Sequence, residues 1–107
     1  MNIKTNDAAK CDLALKGLYD VIDPELDLNI VDLGLVYRID FGGADGNIVV
    51  TMTLTTRFCP MGESIVDGTR QAMQRSFPGN GIQINLVFDP VWEPNMISGE
   101  GLLFLNS

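Results

Sequence analysis

Apolar side chains recur along this chain with two periods, and the changes between them mark its elements. Over residues 6–21 the period is helical, with Cys11, Ala14, Leu15, Leu18 and Ile22 on one face. Asn6 or Asp7 can cap this helix, and Pro24 disfavours helical backbone at Asp23, which stops it. Cys11 falls on the apolar face and reads as core packing, the usual place of a free cysteine. Period two then takes over. Leu35, Tyr37, Ile39 and Phe41 alternate with Val36, Arg38 and Asp40, as in a half-buried strand. A Gly-rich turn over 42–47 leads into a second strand over 48–55. One face of that strand holds Ile48, Val50, Met52 and Leu54, and the other Val49, Thr51, Thr53 and Thr55. Helical spacing returns at Ile65, Thr69, Ala72, Met73 and Phe77, and ends at Pro78-Gly79-Asn80-Gly81. A third strand is expected over 82–88. Beyond it, two prolines flank Trp92 in a stiff loop, and the apolar end 99–107 reads as a short helix or an interaction segment.

This order predicts an α+β fold: a two-layer αββαβ domain spanning 1–107, with helices packed on a small mixed three-stranded sheet. Whether the third strand lies beside the first or the second is left open by the pattern. The 107 residues suffice for one core. No apolar run is long enough to span a bilayer, and residues 1–7 lack the apolar centre of a signal peptide, so a cytoplasmic location is expected. Cys11 and Cys59 form no disulfide framework or CxxC motif, which fits a reducing compartment. A net charge of −7 argues against nucleic acid or an anionic membrane as partner. The absence of histidine excludes Ser-His-Asp and Cys-His catalysis and a His-based zinc site.

The stretch with most chemistry is Thr53-Leu54-Thr55-Thr56-Arg57-Phe58-Cys59-Pro60. Proline is favoured at the first helical position, which would make Cys59 the N-cap. Its sulfur would then lie by unpaired N–H groups at the positive end of the helix dipole, with Arg57 near in sequence. That setting lowers a thiol pKa and favours the thiolate that attacks electrophiles or binds metal. The alternative is an inert, buried cap filler. A second stretch, 23–34, carries Asp23, Glu25, Asp27 and Asp32 among apolar residues. It reads either as turn chemistry or as carboxylates that face Cys59 as acid, base or hard metal ligand.

Taken together, Val21-Ile22-Asp23-Pro24-Glu25-Leu26, the run from Asn29 to Tyr37, Leu54-Thr55-Thr56 with Cys59-Pro60, and Val91-Trp92 with Pro94 and Ile97-Ser98 resemble a known family. It is the family of small iron–sulfur assembly domains that includes PaaD and SufT. The resemblance implies a role in maturing iron–sulfur proteins, with Asp23, Glu25, Thr55, Thr56 and Cys59 clustered at one end of the sheet. It also implies iron–sulfur client proteins and the assembly machinery as partners, and Cys59 as the metal-binding thiolate of a labile cluster. The stretch Gly99-Glu100-Gly101-Leu102-Leu103-Phe104-Leu105 departs from the family, whose C-terminal helix usually carries more charge. One thiolate cannot enclose a cluster that usually takes four ligands, so a homodimer, small thiols or a partner's cysteines would have to complete it. The leading expectation is therefore a non-enzymatic carrier or adaptor. The alternatives are a metal-free interaction module, including a PaaD-like accessory of a multi-component oxygenase, and a thiol enzyme, disfavoured by the lack of a resolving cysteine or a base.

Overall fold

The computed structural model describes residues 3–42, 46–56 and 62–106. Its elements are β1 (Lys4–Thr5), α1 (Ala8–Leu18), β2 (Ile22–Asp23), β3 (Leu28–Asn29), β4 (Val36–Asp40), β5 (Ile48–Met52), α2 (Gly62–Ser76), β6 (Ile82–Leu86), a 3-10 turn (Pro94–Met96) and α3 (Gly99–Leu105). The expected α+β fold is borne out, on a sheet with a fourth strand. Its order is β1-β4-β5-β6, with β4 and β5 antiparallel and both outer pairs parallel. The strand after α2 lies beside β5, which answers the question left open by the sequence.

The added strand β1 is only two residues long. It is held by Asn6, whose side chain donates to the Phe41 carbonyl at 2.8 Å and accepts from the Phe41 amide at 2.9 Å. A side-chain amide here does what another ladder residue would do, so no strand-length hydrophobic pattern exists to announce it. Asp7 caps α1 by accepting from the Lys10 amide at 3.0 Å. The helix ends at Leu18 rather than at residue 21, because Ile22 and Asp23 are drawn into the ladder of β2 with β3. Ile22 consequently leaves the apolar helix face and stands exposed.

The core lies between the sheet and the pair α1 and α2. Cys11, Ala14 and Leu18 meet Ile65, Ala72 and Met73 over Ile39, Ile48, Val50 and Met52, and every one of these is buried. Gly17 lets the two helices approach closely, since a Cβ there would stand 2.8 Å from Ser76 Oγ. Thr69, buried in the middle of α2, satisfies its hydroxyl by donating to the Ile65 carbonyl at 2.8 Å.

Two face assignments read from simple alternation do not hold. The β4–β5 register slips between Val36 and Arg38, so Tyr37 is the extra residue of a bulge. Val36 therefore points with Ile39 into the core, and Tyr37 leaves the core face on which alternation had placed it. Likewise β5 ends at Met52, and Thr53, which alternation set on the face opposite Met52 and Leu54, is fully buried along with them. Its amide continues the pairing by donating to the Leu35 carbonyl at 2.8 Å. The expected third strand also stops early, at Leu86, although the Val87 amide still reaches the Met52 carbonyl.

Candidate functional site

The acidic stretch is a tight hairpin. β2 and β3 pair in antiparallel register, Ile22 with Asn29 and Asp23 with Leu28. Asp23 is 1% exposed. Its Oδ1 accepts from the Glu25 amide at 2.8 Å, an Asx turn that lets Pro24 start the reversal. The Asp27 amide closes the loop onto the Asp23 carbonyl at 2.8 Å, with Asp27 at φ 56°, a left-handed conformation that Asp tolerates. Turn chemistry is thus realised at Asp23, while the carboxylate of Glu25 remains exposed at the tip. Both readings of this stretch can be true at once, because one carboxylate oxygen of Asp23 suffices for the turn.

Asp32 is buried like Asp23, but its carboxylate reaches beyond its own turn: its two oxygens accept from Asn29 Nδ2 at 2.7 Å and from Ser98 Oγ at 2.8 Å. The Ser98 amide donates to the Asp32 carbonyl at 2.8 Å, and Ser98 Oγ also caps α3 by accepting from Gly101. Trp92 adds a second tie, donating its indole N–H to the Leu33 carbonyl at 2.6 Å while its ring packs on the core. Tyr37 donates to the Pro90 carbonyl at 2.9 Å. The tail is thereby strapped across the loop between β3 and β4. Sequence reading picked out Asp32 and Ser98 separately but missed that they bond to each other. The available signal was the serine placed just before a short apolar run, as an N-cap.

Thr55 and Thr56 follow β5, Thr55 half-buried and Thr56 exposed. Cys59, with Arg57 and Pro60, lies outside the described residues, and so does the expected capping of the helix start. What is described is how the flanking segments meet α2. A Cβ at Gly62 would stand 2.8 Å from Leu54 Cδ1, and one at Gly68 would stand 3.3 Å from Val21 Cγ1. The segment leading to Thr55 and the segment leading to Asp23 therefore both press on the first half of the same helix. Their contact points are six residues, or about 9 Å, apart along it.

The second thiol is chemically quiet. Burial pushes the Cys11 thiol above its ordinary pKa, a hydrogen bond with Thr5 opposes this, and the charge of Asp12 adds to it. Among the described residues, no group of three or more Cys, Asp or Glu side chains could hold a metal ion. A groove of about 800 Å³ is lined by Tyr37, Arg38, Thr51, Met96 and Ile97, among others, and none of Asp23, Glu25, Thr55 and Thr56 borders it.

Comparison with known proteins agrees with this architecture. The profile of the family described as "Iron-sulfur cluster assembly protein" matches residues 14–86. The chain is 42% identical over 88 residues to the "Fe-S protein maturation auxiliary factor" of Porphyromonas gingivalis, covering 82% of this chain and 83% of that one. It is 40% identical over 78 residues to the "Fe-S protein maturation auxiliary factor SufT" of Staphylococcus aureus, covering 73% of this chain and 88% of that one. Among solved structures, the domain of unknown function DUF59 from Bacillus anthracis superposes with a TM-score of 0.83 at 36% identity, over 92% of each chain. With its profile matched from the end of α1 through the acidic hairpin, the central strands and α2 to β6, the chain belongs to the iron–sulfur cluster assembly protein family.

Proposed function

We propose that this protein is a non-enzymatic maturation factor for iron–sulfur proteins, acting through Cys59 with Asp23, Glu25, Thr55 and Thr56. The relatives named as maturation auxiliary factors support the general role. The observation that carries the finer reading is the convergence of Val21 and Leu54 on the first half of α2. Cys59 is three residues from Thr56 and three from Gly62 in sequence, so the thiol belongs to the connection that joins the Leu54 segment to α2.

The donor set decides what such a site could do. A thiolate is the natural protein ligand of an iron–sulfur cluster, and Cys11 is buried with its thiol form favoured. Cys59 is then the one thiol suited to ligation, and the chain has no histidine to supplement it. A cluster would be cargo rather than a resident cofactor, held with ligands from small thiols, a second copy or the client. An incomplete protein ligand set suits release to a client.

Anaerobic incubation with iron and sulfide, followed by visible absorbance and gel filtration, tests the carrier form. Charge-transfer bands in the wild type and none in Cys59→Ser support it. Bands of equal strength in both proteins would remove Cys59 from the account. The absence of bands in both would favour a metal-free adaptor, a reading consistent with the commitment of Asp23 to its turn.

A further inference from the structure

The last helix carries an exposed apolar surface. Leu102, Leu103, Phe104 and Leu105 are 44%, 75%, 51% and 37% exposed, while Gly101 alone is buried beneath them. Gly101 is where α3 rests on the rest of the protein: a Cβ there would meet Ile97, Leu28 and the Asp32 carbonyl. Leu28 is on β3, so α3 is seated against the acidic hairpin. Tyr19 follows α1 as its C-cap, and its pKa is raised by burial first and then by the charges of Asp32 and Glu100. Tyr19, Ile22 and Leu26 are themselves exposed. Monomeric proteins rarely leave so many large apolar groups together in water unless something docks there.

The charges around these groups indicate what docks. Asp20, Glu25, Asp27 and Glu100 are exposed on the same elements. Residues 15–29 and 99–105 contain a single basic side chain, Lys16. The geometry points to this patch as a docking surface for a basic amphipathic segment of a partner protein, an apolar helix face edged by lysine and arginine. A second copy would set the acidic rim against the same rim in a chain of net charge −7. An anionic lipid surface is repelled for the same reason. Apolar side chains would fill the α3 face while Lys and Arg meet the rim, a helix-on-groove mode of recognition. The inference is independent of whether Cys59 carries metal.

The test titrates the full chain into fluorescein-labelled helical peptides, one patterned from Lys and Leu and its counterpart from Glu and Leu, by fluorescence anisotropy. The Lys/Leu peptide binds and the Glu/Leu peptide does not. Leu103→Ser, at the most exposed site, weakens binding about tenfold, and Leu102→Ser gives an independent second reading on the same helix. The double variant Asp20→Asn with Asp27→Asn weakens binding at low salt and flattens its salt dependence, as loss of rim charge requires. Sedimentation shows the free protein as a monomer. Binding of both peptides or of neither overturns the proposal. So does a dimer that Leu103→Ser splits, or retention on phosphatidylserine vesicles that Leu103→Ser abolishes.

Discussion

A methyl group added at Gly34 would collide with the Met96 carbonyl oxygen and sit 3.0 Å from Met96 Cβ, on a backbone with φ of +80°. Glycine is required there twice over, once for the left-handed conformation and once for the close approach of the tail. Gly34→Ala should therefore cost about 2 kcal/mol or more, the left-handed penalty alone being roughly 1–2 kcal/mol. The thermal midpoint should drop by about 10 °C, measured by calorimetry. Asp32 and Ser98 show the same logic at other single residues. Each satisfies the other, and between them they join the acidic loop to the last helix. The buried carboxylate is tolerated because its oxygens are met by donors from Asn29 and Ser98.

At the scale of elements, the hairpin of β2 and β3 separates a structural from a chemical use of one carboxylate. Asp23→Asn keeps an oxygen to accept from the Glu25 amide, whereas Asp23→Ala removes it. Urea unfolding should show the alanine variant less stable by about 1–2 kcal/mol and the asparagine variant close to wild type. If the charge of Asp23 serves maturation, both variants lose client activation, and an active Asp23→Asn would confine this residue to its turn. Much of this layer could be read from the sequence. The helix face from Ile65 to Met73, the core placement of Cys11 and the two central strands follow from periodicity, because burial on one side forces the spacing. What periodicity missed has physical causes. β1 is held by the Asn6 side chain rather than by pattern, and the bulge at Tyr37 shifts the alternation by one residue. The ladder of β2 with β3 is two residues long on each side, too short to alternate detectably. The candidate residues Asp23, Glu25, Thr55, Thr56 and Cys59 came mainly from family resemblance. Local sequence alone supports turn chemistry at Asp23 as well as it supports a ligand.

For the molecule as a whole, alkaline pH is the direction of weakness. Burial is the leading cause that raises the Cys11, Tyr19 and Tyr37 pKa values in the folded state. Each group then holds its proton more tightly folded than unfolded. That stabilisation is fully present below the unfolded pKa and is lost as pH rises toward the folded one. Stability should therefore fall from about pH 9 upward, the cysteine contributing first and the tyrosines near pH 10 and above. Denaturant midpoints between pH 8 and 11 check the slope, and Cys11→Ala should remove its earliest part. The central claim is that the chain matures iron–sulfur proteins through Cys59. It is tested most directly by the activity of an iron–sulfur enzyme in cells lacking their own factor of this family, supplied with wild type or Cys59→Ser at equal abundance. The account predicts restored client activity with the wild type and none above background with the serine variant. Equal restoration by both would contradict it.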